Sequence, residues 1–553
     1  MLAAVLALGP VACRSKKAPA PPASAIVAEA PAPASLIAEL SVGNPKETWQ
    51  RARRLGGGYA QALPSSLPVL FATSLSLPPA VAGSLDETVP LVGVLLARKD
   101  SQEPDFVVGM HVLSGAELIA SLTLGDAAKF RRLEVAPRVV RLLPAPGAPE
   151  FDGALGVSGN YLLLATTLSA LTEAGRFVAE GVVKRARTEP GLTLRATEKV
   201  LTGVLAQRLR EAWQARRAAL SASDRAERDA KGRAPDFADP QVLLAGVDNT
   251  IEAWLGVLES SREVSLQLTP EQDRLRAELS LTPAASGVAA ALSRELVVGP
   301  VAPLLQLPAS TAAGLLLRGD AEPGGAGPGE SVARLFGERL NAAQTQRLVG
   351  AVDAFAKAHR GATVFGFVPT PAPALLVTCE LADGNAFPQA LADLLALLEL
   401  PPVRGLIKGT LGEPVLELAR PVGGVRHARV RFRAPSHAAA TPLPKALSLT
   451  WEARDGVGYI VISPDDALGL SPFAAPARLA SSDWLGRGVA GQGSGTTALE
   501  ALLDVRLLAP GGPDDAKVLL SFGKRDERIA VGLDVAANAL PAVTRLFALE
   551  RSP

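Results

Sequence analysis

Two β-hairpins give the clearest local pattern in the chain. Each consists of two stretches in which apolar and polar residues alternate, joined by a short polar turn. The strands and turns lie at residues 263–269, 270–272 and 274–281, and at residues 516–523, 524–527 and 528–535. A period of two places one face of each strand in a core and the other in water, which predicts antiparallel pairing. Alanine-rich helices are predicted after each hairpin, at residues 286–296 and 537–549.

The hairpins belong to a longer set of landmarks that occurs twice in the same order. Each set opens with Pro-Ala-Ser before a strand and a helix, then has a tight turn, a tyrosine-bearing strand and a helix start, and closes with a hairpin. The first set includes residues 33–43, a helix near residues 47–55, residues 159–166 and a helix start at Thr167; the second includes residues 308–318, a helix over residues 330–358, residues 455–463 and a helix start at Ser463–Pro464. This order predicts an internal duplication, with copies at residues 35–305 and 306–553. The alternative is that both regions are α+β with similar turn sequences.

One insertion interrupts the first copy. Residues 195–233 and 239–258 are helical by pattern, and the first of these stretches is rich in arginine and glutamate but poor in aromatic residues. We expect a solvent-exposed helical arm with a break at residues 232–235; the alternative is a partner-binding face. The predicted fold class is therefore α+β. It has two related halves of mainly antiparallel sheet packed by helices, and a charged helical insertion at residues 195–258 in the first half.

The N-terminus is apolar and then turns abruptly basic. Residues 2–12 carry no charge and are too short for a membrane span, which needs about 20 residues. The sequence Pro-Val-Ala-Cys ending at Cys13 resembles the lipobox of bacterial lipoproteins, although Pro10 stands where leucine is usual and no Lys or Arg precedes it. The resemblance implies a signal peptide at residues 1–12 and lipidation of Cys13. The alternative is an apolar N-terminus with an incidental cysteine.

An Ala/Pro-rich segment follows the cysteine, and we expect residues 13–34 to be a lipid-anchored tether. Proline favours extended polyproline II structure at about 3.1 Å per residue, so the spacer would reach on the order of 60 Å. Arg14 stands where an aspartate would favour retention in the inner membrane. The lipoprotein resemblance therefore implies a cell-envelope location, with the outer membrane favoured, on its periplasmic face or surface.

Composition sets further bounds. The chain has 553 residues, well above the ~250–300 at which a single core stops growing, so more than one domain is expected. Its 56 basic and 55 acidic residues leave a net charge of +1, which argues against nucleic acid as a partner. Cys13 and Cys379 are the two cysteines. The alternation around Cys379 predicts a buried, unreactive thiol on a strand, and a lipidated Cys13 would leave no disulfide.

No local motif for catalysis stands out in the sequence. The four histidines, His111, His359, His427 and His437, lack metal-ligand spacing. No G-x-S-x-G or G-x-x-x-x-G-K-[ST] motif occurs, and the glycine-rich residues 486–495 contain no lysine, so they are predicted to form a loop rather than a phosphate site.

Two carboxylate pairs, Asp465/Asp466 and Asp514/Asp515, stand at predicted helix starts or turns, where aspartate caps the backbone. We therefore expect no catalytic residue, no cofactor and no metal site. On this reading the chain is not an enzyme.

The landmarks are similar to a large group of uncharacterised secreted or lipid-anchored bacterial proteins. Members open with L-P-A-x-[ST] before a strand, carry D-G-Y and a hydrophobic strand before a helix, and close with a hairpin; residues 307–311 and 455–460 match best. The resemblance implies an α+β fold and an envelope location. It favours a non-catalytic, lipid-anchored envelope protein that binds a protein partner or an apolar ligand. The alternatives are an assembly component whose arm docks another envelope protein, and an enzyme without a local motif.

Overall fold

The computed structural model describes residues 30–543. The residues within this range that it does not describe are 76, 99–100, 102, 125–128, 146–152, 232–239, 320–326, 337–338, 371, 411, 434–443, 483, 486–496 and 508–515. The predicted signal peptide, Cys13 and most of the predicted tether therefore lie outside the described residues. The mixture of helices with antiparallel sheet agrees with the predicted α+β class.

Twenty strands form one sheet in the described part of the chain. They are β1 (Leu36–Gly43), β2 (Leu91–Leu96), β3 (Asp105–His111), β4 (Phe130–Ala136), β5 (Val139–Pro144), β6 (Ala154–Ser158), β7 (Tyr161–Ala165), β8 (Gly191–Thr197), β9 (Ser261–Pro270), β10 (Arg274–Pro283), β11 (Ala313–Gly319), β12 (His359–Val368), β13 (Ala374–Leu381), β14 (Glu413–Leu418), β15 (Arg426–Arg433), β16 (Ala446–Arg454), β17 (Val457–Ser463), β18 (Thr497–Asp504), β19 (Lys517–Arg525) and β20 (Arg528–Ala536).

Helices connect these strands. They are α1 (Pro45–Leu55), α2 (Gly57–Gln61), α3 (Leu67–Ser74), α4 (Pro79–Ser84), α5 (Gly115–Thr123), α6 (Leu168–Glu180), α7 (Glu198–Val200), α8 (Ala206–Lys231), α9 (Pro240–Glu259), α10 (Val288–Glu295), α11 (Ala302–Leu305), α12 (Pro328–Phe336), α13 (Ala342–Ala358), α14 (Phe387–Leu395) and α15 (Pro401–Thr410). Short 3-10 turns include Ser471–Ala474, Leu479–Ser481 and Ala537–Ala539.

The strand order has a simple regularity. The first ten strands, here the first segment, run β4-β5-β6-β7-β3-β2-β1-β8-β9-β10 across the sheet. The last ten, the second segment, run β14-β15-β16-β17-β13-β12-β11-β18-β19-β20. Every neighbouring pair is antiparallel, and β10 pairs with β20 to join the two segments edge to edge. Each strand thus has a counterpart ten strands later.

The registers of the two segments also correspond. Residues 159–160 turn between β6 and β7, and residues 455–456 turn between β16 and β17. When these turns are aligned and the partner residues are followed from strand to strand, the Pro-Ala-Ser of residues 33–35 falls on the Pro-Ala-Ser of residues 308–310. Tyr459, however, lies two residues further along its strand than Tyr161. The tyrosines are therefore not equivalent, although the sequence suggests that they match.

Several predicted elements are confirmed. The strand at residues 36–43 and both alternating hairpins are present. The predicted cap of α6 is correct, since Thr167 Oγ1 accepts a hydrogen bond from the backbone N–H of Ala170 at 3.1 Å. α10 matches the helix predicted at residues 286–296. The helix predicted at residues 537–549 begins as a 3-10 turn, and its end lies outside the described residues.

The helix predicted to start at Ser463–Pro464 is wrong. Described residues 464–482 form turns and 3-10 segments. Ser463 Oγ does accept the N–H of Asp465 at 3.1 Å, but Gly469 adopts a left-handed φ of 49° and two prolines follow it. A left-handed residue and prolines that lack a backbone donor stop the helix before it can form. The Asp465/Asp466 pair consequently lies in a turn.

The helix predicted over residues 330–358 is two helices, α12 and α13. Asn341 caps the second through a reciprocal capping box with Gln344, in which each side chain accepts the other residue's backbone N–H, at 2.9 and 3.0 Å. Asparagine with glutamine three residues later is a helix-start signal. This capping box starts a new helix at Ala342. The apolar pattern continues across the boundary, so the pattern alone predicts one helix.

The inserted arm begins later than predicted. Residues 195–197 belong to β8, where Arg195 Nη2 contacts Glu263 Oε2 on β9 at 2.6 Å. The arm itself is an antiparallel pair, α8 and α9. Its arginines bind carboxylates of the facing helix: Arg210 Nη1 lies 2.7 Å from Glu259 Oε1, and Arg217 Nε lies 2.9 Å from Asp248 Oδ2. The charge run is therefore partly satisfied inside the arm.

The junction of β10 and β20 carries charged residues across the sheet. Arg276 Nε on β10 contacts Asp534 Oδ1 on β20 at 2.8 Å, and Asp534 is 1% exposed. Glu278 on β10 pairs with Arg525 on β19. Because a buried carboxylate needs a partner of opposite charge, these contacts favour one specific alignment of the two edges.

We predict that Asp534→Asn destabilises the protein by about 2 kcal/mol at neutral pH, because it removes the buried carboxylate that Arg276 Nε contacts and leaves the mostly buried guanidinium to Glu271, which lies 3.4 Å away and is one-third exposed. Urea unfolding monitored by tryptophan fluorescence measures the change. The matched control is Glu399→Gln in the exposed Arg347–Glu399 pair, which should cost less than about 1 kcal/mol. Equal effects of the two substitutions would contradict a stabilising role for the junction pair.

Candidate functional site

In the first segment, helix α6 covers one face of the sheet. Its buried residues include Leu171, Ala174 and Val178, which share a core with Val92 on β2 and Leu163 on β7. The spacing of Leu171, Ala174 and Val178 repeats with the helical period, so one apolar stripe meets the sheet. The contact is close because glycines lie on both sides of it.

Those glycines mark where helix and sheet approach. A Cβ placed on Gly109 of β3 would lie 3.4 Å from Val178 Cγ1, and one placed on Gly175 of α6 would lie 3.1 Å from Leu163 Cδ1. Gly109 pairs with Leu163 on one side and with Val92 on the other. These three strand residues form the sheet surface beneath the C-terminal part of α6.

The corresponding surface of the second segment is formed by Val364, Thr378 and Tyr459. Thr378 on β13 pairs with Val364 on β12 and with Tyr459 on β17, as Gly109 pairs with Val92 and Leu163. Here the chain after β17 forms no α-helix over described residues 464–482. These strand residues instead line an open cavity of about 470 Å³, which we call the groove.

The groove has an apolar floor and walls. Val364 and Tyr459 contribute the floor, and the walls include Leu307, Phe473 and the loop residues Pro300, Ala302 and Pro303. The Tyr459 and Phe473 rings meet edge to face with their centroids 5.0 Å apart. A lining of this kind, of a few hundred cubic ångströms, is typical of sites for apolar ligands.

Charged residues surround the opening. The Arg454 guanidinium lies over the Tyr459 ring, 5.2 Å from its centroid, and Arg478 donates to the carbonyl of Phe473 at 2.6 Å. Glu380 Oε2 accepts the backbone N–H of Ala362 at 2.9 Å. Glu452 Oε1 also lies 3.6 Å from Arg454 Nη1. Two cations at the opening are therefore balanced by two carboxylates, and each charged group is oriented by a specific neighbour.

Backbone hydrogen bonds hold the chain after β17 beside the groove. The Leu479 N–H donates to the carbonyl of Leu307 at 2.9 Å, and the Ala309 N–H donates to the carbonyl of Ala477 at 3.0 Å. Leu307 also packs against the sheet, where a Cβ placed on Gly366 would lie 2.9 Å from Leu307 Cδ1. Glycine at this position leaves room for the Leu307 side chain. The segment is thereby fixed against the sheet, where Phe473 and Leu479 are buried with Val364.

Other cavities are less suited to an apolar ligand. One, of about 150 Å³, is lined by Glu39, Arg185, Arg195 and Glu263, which form ion pairs with one another. Another, of about 620 Å³, is lined by polar residues that include Asp273, Lys517 and Asn538. A third, of about 710 Å³, lies beside Ser35 and Glu173.

Cys379 is a buried thiol on β13, as predicted. Its Sγ lies on the face covered by α14, where it shares a core with Phe387 and Trp451. Burial raises the pKa of the thiol to about 12. At neutral pH the group is therefore protonated and a poor nucleophile.

The histidines that can be described are dispersed. His111 Nδ1 lies 3.6 Å from Asp86 Oδ2, His359 Nε2 lies 2.6 Å from Thr363 Oγ1, and His427 Nδ1 lies 3.2 Å from Thr450 Oγ1. His437, Asp514/Asp515, the glycine-rich residues 486–495 and the predicted lipidation site Cys13 lie outside the described residues.

Within the described ranges, no group of three or more His, Cys, Asp or Glu side chains has a geometry suited to a metal ion.

The groove was not predicted from the sequence, although a signal for it exists. Tyr459 belongs to a recognised landmark, but Arg454, Thr378 and Val364 carry no motif. The signal is a difference between the repeats: glycine and proline at residues 469, 472 and 476 stand where the first repeat has the helix-forming sequence of α6. A missing helix implies a sheet face that other segments must cover.

No protein-family model matches the chain, and no curated protein or solved structure matches it either. Among the described residues, no helix has the length and apolar character needed to cross a bilayer. The resemblance to lipid-anchored bacterial proteins stays a prediction.

We predict that Cys379 in the folded Cys13→Ser protein reacts with a thiol reagent at pH 8 at least about 1,000-fold more slowly than in concentrated urea. A thiol with a pKa near 12 is ionised in only about one molecule in ten thousand at that pH. Colorimetric disulfide exchange measures both rates. Comparable rates in the folded and unfolded protein would show that the thiol is not buried in solution.

Proposed function

We propose that this protein is a non-catalytic, lipid-anchored envelope protein that binds an apolar ligand, or the apolar face of a protein partner, in the groove. The observation that supports binding is the open cavity of about 470 Å³ that Val364, Thr378 and Tyr459 line on the sheet face that α6 covers in the first segment. The rim supports binding rather than proton transfer, because Arg454 is held on an aromatic ring and Glu380 on a backbone N–H.

We also propose that the two segments arose by duplication. Their matching strand orders, equal turns and coinciding Pro-Ala-Ser registers support common descent. The proposal explains why the groove exists. One copy has the helix over its sheet, and the other has turns there, whose incomplete cover leaves the groove.

The anchoring part of the proposal rests on the N-terminal sequence. Ala30 is buried in the core that contains the apolar residues of α6, so it belongs to the folded body and not to the tether. A tether between Cys13 and Ala30, extended at about 3.1 Å per residue, would reach on the order of 50 Å from the membrane. That distance would leave the groove accessible to a ligand or partner in the envelope.

We predict that the full chain expressed in a Gram-negative host fractionates with the outer membrane, and that its intact mass includes the diacylglyceryl group and the acyl chain of a bacterial lipoprotein. The Cys13→Ser protein should be recovered without lipid, because the thioether bond needs the thiol. A wild-type protein that is recovered unlipidated and outside the membrane fraction would overturn the proposed location.

We predict that Thr378→Trp weakens binding of an environment-sensitive apolar dye at least about tenfold, because the indole would fill the groove. The control, Leu375→Trp, lies on the same strand, is 38% exposed and is absent from the groove lining, so it should bind the dye as the wild type does. Fluorescence titration measures both affinities. Equal loss in the two variants, or no saturable binding to the wild type, would contradict a ligand site in the groove.

A second candidate function, assembly with another envelope protein, is favoured by the exposed apolar residues of the arm. Leu209 and Leu220 on α8 and Trp254 on α9 are 39%, 39% and 44% exposed. Exposed residues of this kind at helical spacing can contribute to an interface. Loss of a co-purifying envelope protein on deletion of residues 198–259, with retention on Thr378→Trp, would favour this function over the groove.

A further inference from the structure

We infer that the ligand of the groove is an amphiphile with a zwitterionic head, whose anionic group meets Arg478 and whose cationic group meets Glu380. Such a ligand is a particular case of the apolar ligand proposed above, so the assignment rests on the proposed function. Two charged side chains that line the same cavity support it, because each is held by a neutral backbone group.

Arg478 brings a cation to the groove. Its side chain is half-buried, and Nη2 donates to the carbonyl of Phe473 at 2.6 Å. It forms no ion pair in the part of the chain that the structure describes. The backbone on both sides of it is fixed, since the N–H of Leu479 and the carbonyl of Ala477 bond to residues 307 and 309. The guanidinium is therefore preorganised and lacks a countercharge.

Glu380 brings an anion to the groove from the opposite side. It lies on β13, where it pairs with Val457 of β17, and its side chain is half-buried. Its Oε2 accepts the backbone N–H of Ala362 at 2.9 Å, and among the described residues it has no ion-pair partner. A carboxylate has about four acceptor positions, so one N–H leaves most of them open.

The other cation at the opening, Arg454, differs from Arg478. It has Glu452 at 3.6 Å and the Tyr459 ring beneath its guanidinium, so its charge is already compensated. One cation on the covering segment and one anion on the sheet remain without a countercharge. A charge beside apolar surface is stabilised by an opposite charge. A zwitterionic head placed between sheet and cover satisfies both, whereas a singly charged head leaves one unpaired.

The rest of the groove suits an alkyl chain. Pro303, Leu307, Tyr459 and Phe473 supply apolar lining to a cavity of about 470 Å³, within the range of sites for drug-sized ligands. A free apolar amino acid is also zwitterionic, but it is smaller than the ligands that cavities of this volume enclose. The lining and the charges together favour a single-chain zwitterionic amphiphile.

Probes with the same chain length and different heads test the assignment. Dodecylphosphocholine is zwitterionic, dodecyl phosphate anionic, dodecyltrimethylammonium cationic and monododecanoylglycerol uncharged. Each competes with the environment-sensitive apolar dye for the full chain, below its micellar concentration. We expect the zwitterionic probe to displace the dye at a concentration at least about fivefold lower than any other probe, because it alone meets both charges. Free leucine should not displace the dye.

Protein variants locate the two charges. In Glu380→Gln the amide oxygen still accepts the Ala362 N–H, and dodecyl phosphate should bind at least as tightly as the zwitterionic probe. In Arg478→Gln the cationic probe should do so, and Arg478→Lys should restore the wild-type order. The controls Glu399→Gln and Arg347→Gln, in an exposed pair outside the groove lining, should keep that order. Thermal unfolding verifies that each variant is folded.

The outcomes separate the head group from the groove itself. Dye displacement at equal concentrations by all four probes, or a preference that Glu380→Gln and Arg478→Gln leave unchanged, would overturn the zwitterionic head and leave the groove as an apolar site. Displacement by leucine would overturn the amphiphile. Absence of saturable dye binding would overturn the proposed function as well. Opposite changes of preference in the two variants support the assignment, and a loss of folding cannot produce them.

Discussion

The pairing of β10 with β20 is the contact on which the rest of the sheet depends. Each strand is the last of its segment, and alone it would expose a row of unpaired backbone donors and acceptors. Their antiparallel ladder, from Arg274–Ala536 to Leu281–Ile529, satisfies both rows at once. Because β10 and β20 are equivalent strands of the two segments, their pairing removes one free edge from each segment. The buried Arg276–Asp534 pair adds electrostatic selection of the register, since a shift by one residue would separate the charges and turn each side chain to the opposite face.

An antiparallel sheet of this length has two apolar faces that need cover. The first segment uses α5 on one face and α6 on the other, and each helix lies on its own core cluster. The second segment uses α14 on the face equivalent to that of α5, with Cys379 at the position of Met110. On its other face, turns and α11 replace the long helix and cover only part of the surface. The groove is what this incomplete cover leaves.

Local packing explains the structural roles of Cys379 and of two tryptophans in the core. Cys379 is enclosed by Phe387 and Gly458, so its thiol faces the helix-covered side of β13 and not the solvent. Trp451 is buried and donates from Nε1 to the carbonyl of Pro388 at 3.1 Å. The guanidinium of the buried Arg274 lies over the Trp484 ring, 4.7 Å from the ring centroid. The Cys379 thiol and the Trp451 indole are each satisfied by a local backbone carbonyl, so residue type alone is a poor guide to function in this chain.

The sequence by itself determined the local elements. Alternation located both hairpins, and Thr167 marked the start of α6, because strand period and helix capping depend on residues close together in the chain. Where local signals competed, prediction failed: Ser463 and Pro464 suggest a helix that Gly469 and the prolines prevent. Only the tertiary structure decided that Tyr459 replaces Leu163, that β10 meets β20, and that the cover of one sheet face leaves a groove. These facts depend on which strands become neighbours, and residues hundreds of positions apart, such as Arg276 and Asp534, leave no trace of their contact in either local sequence.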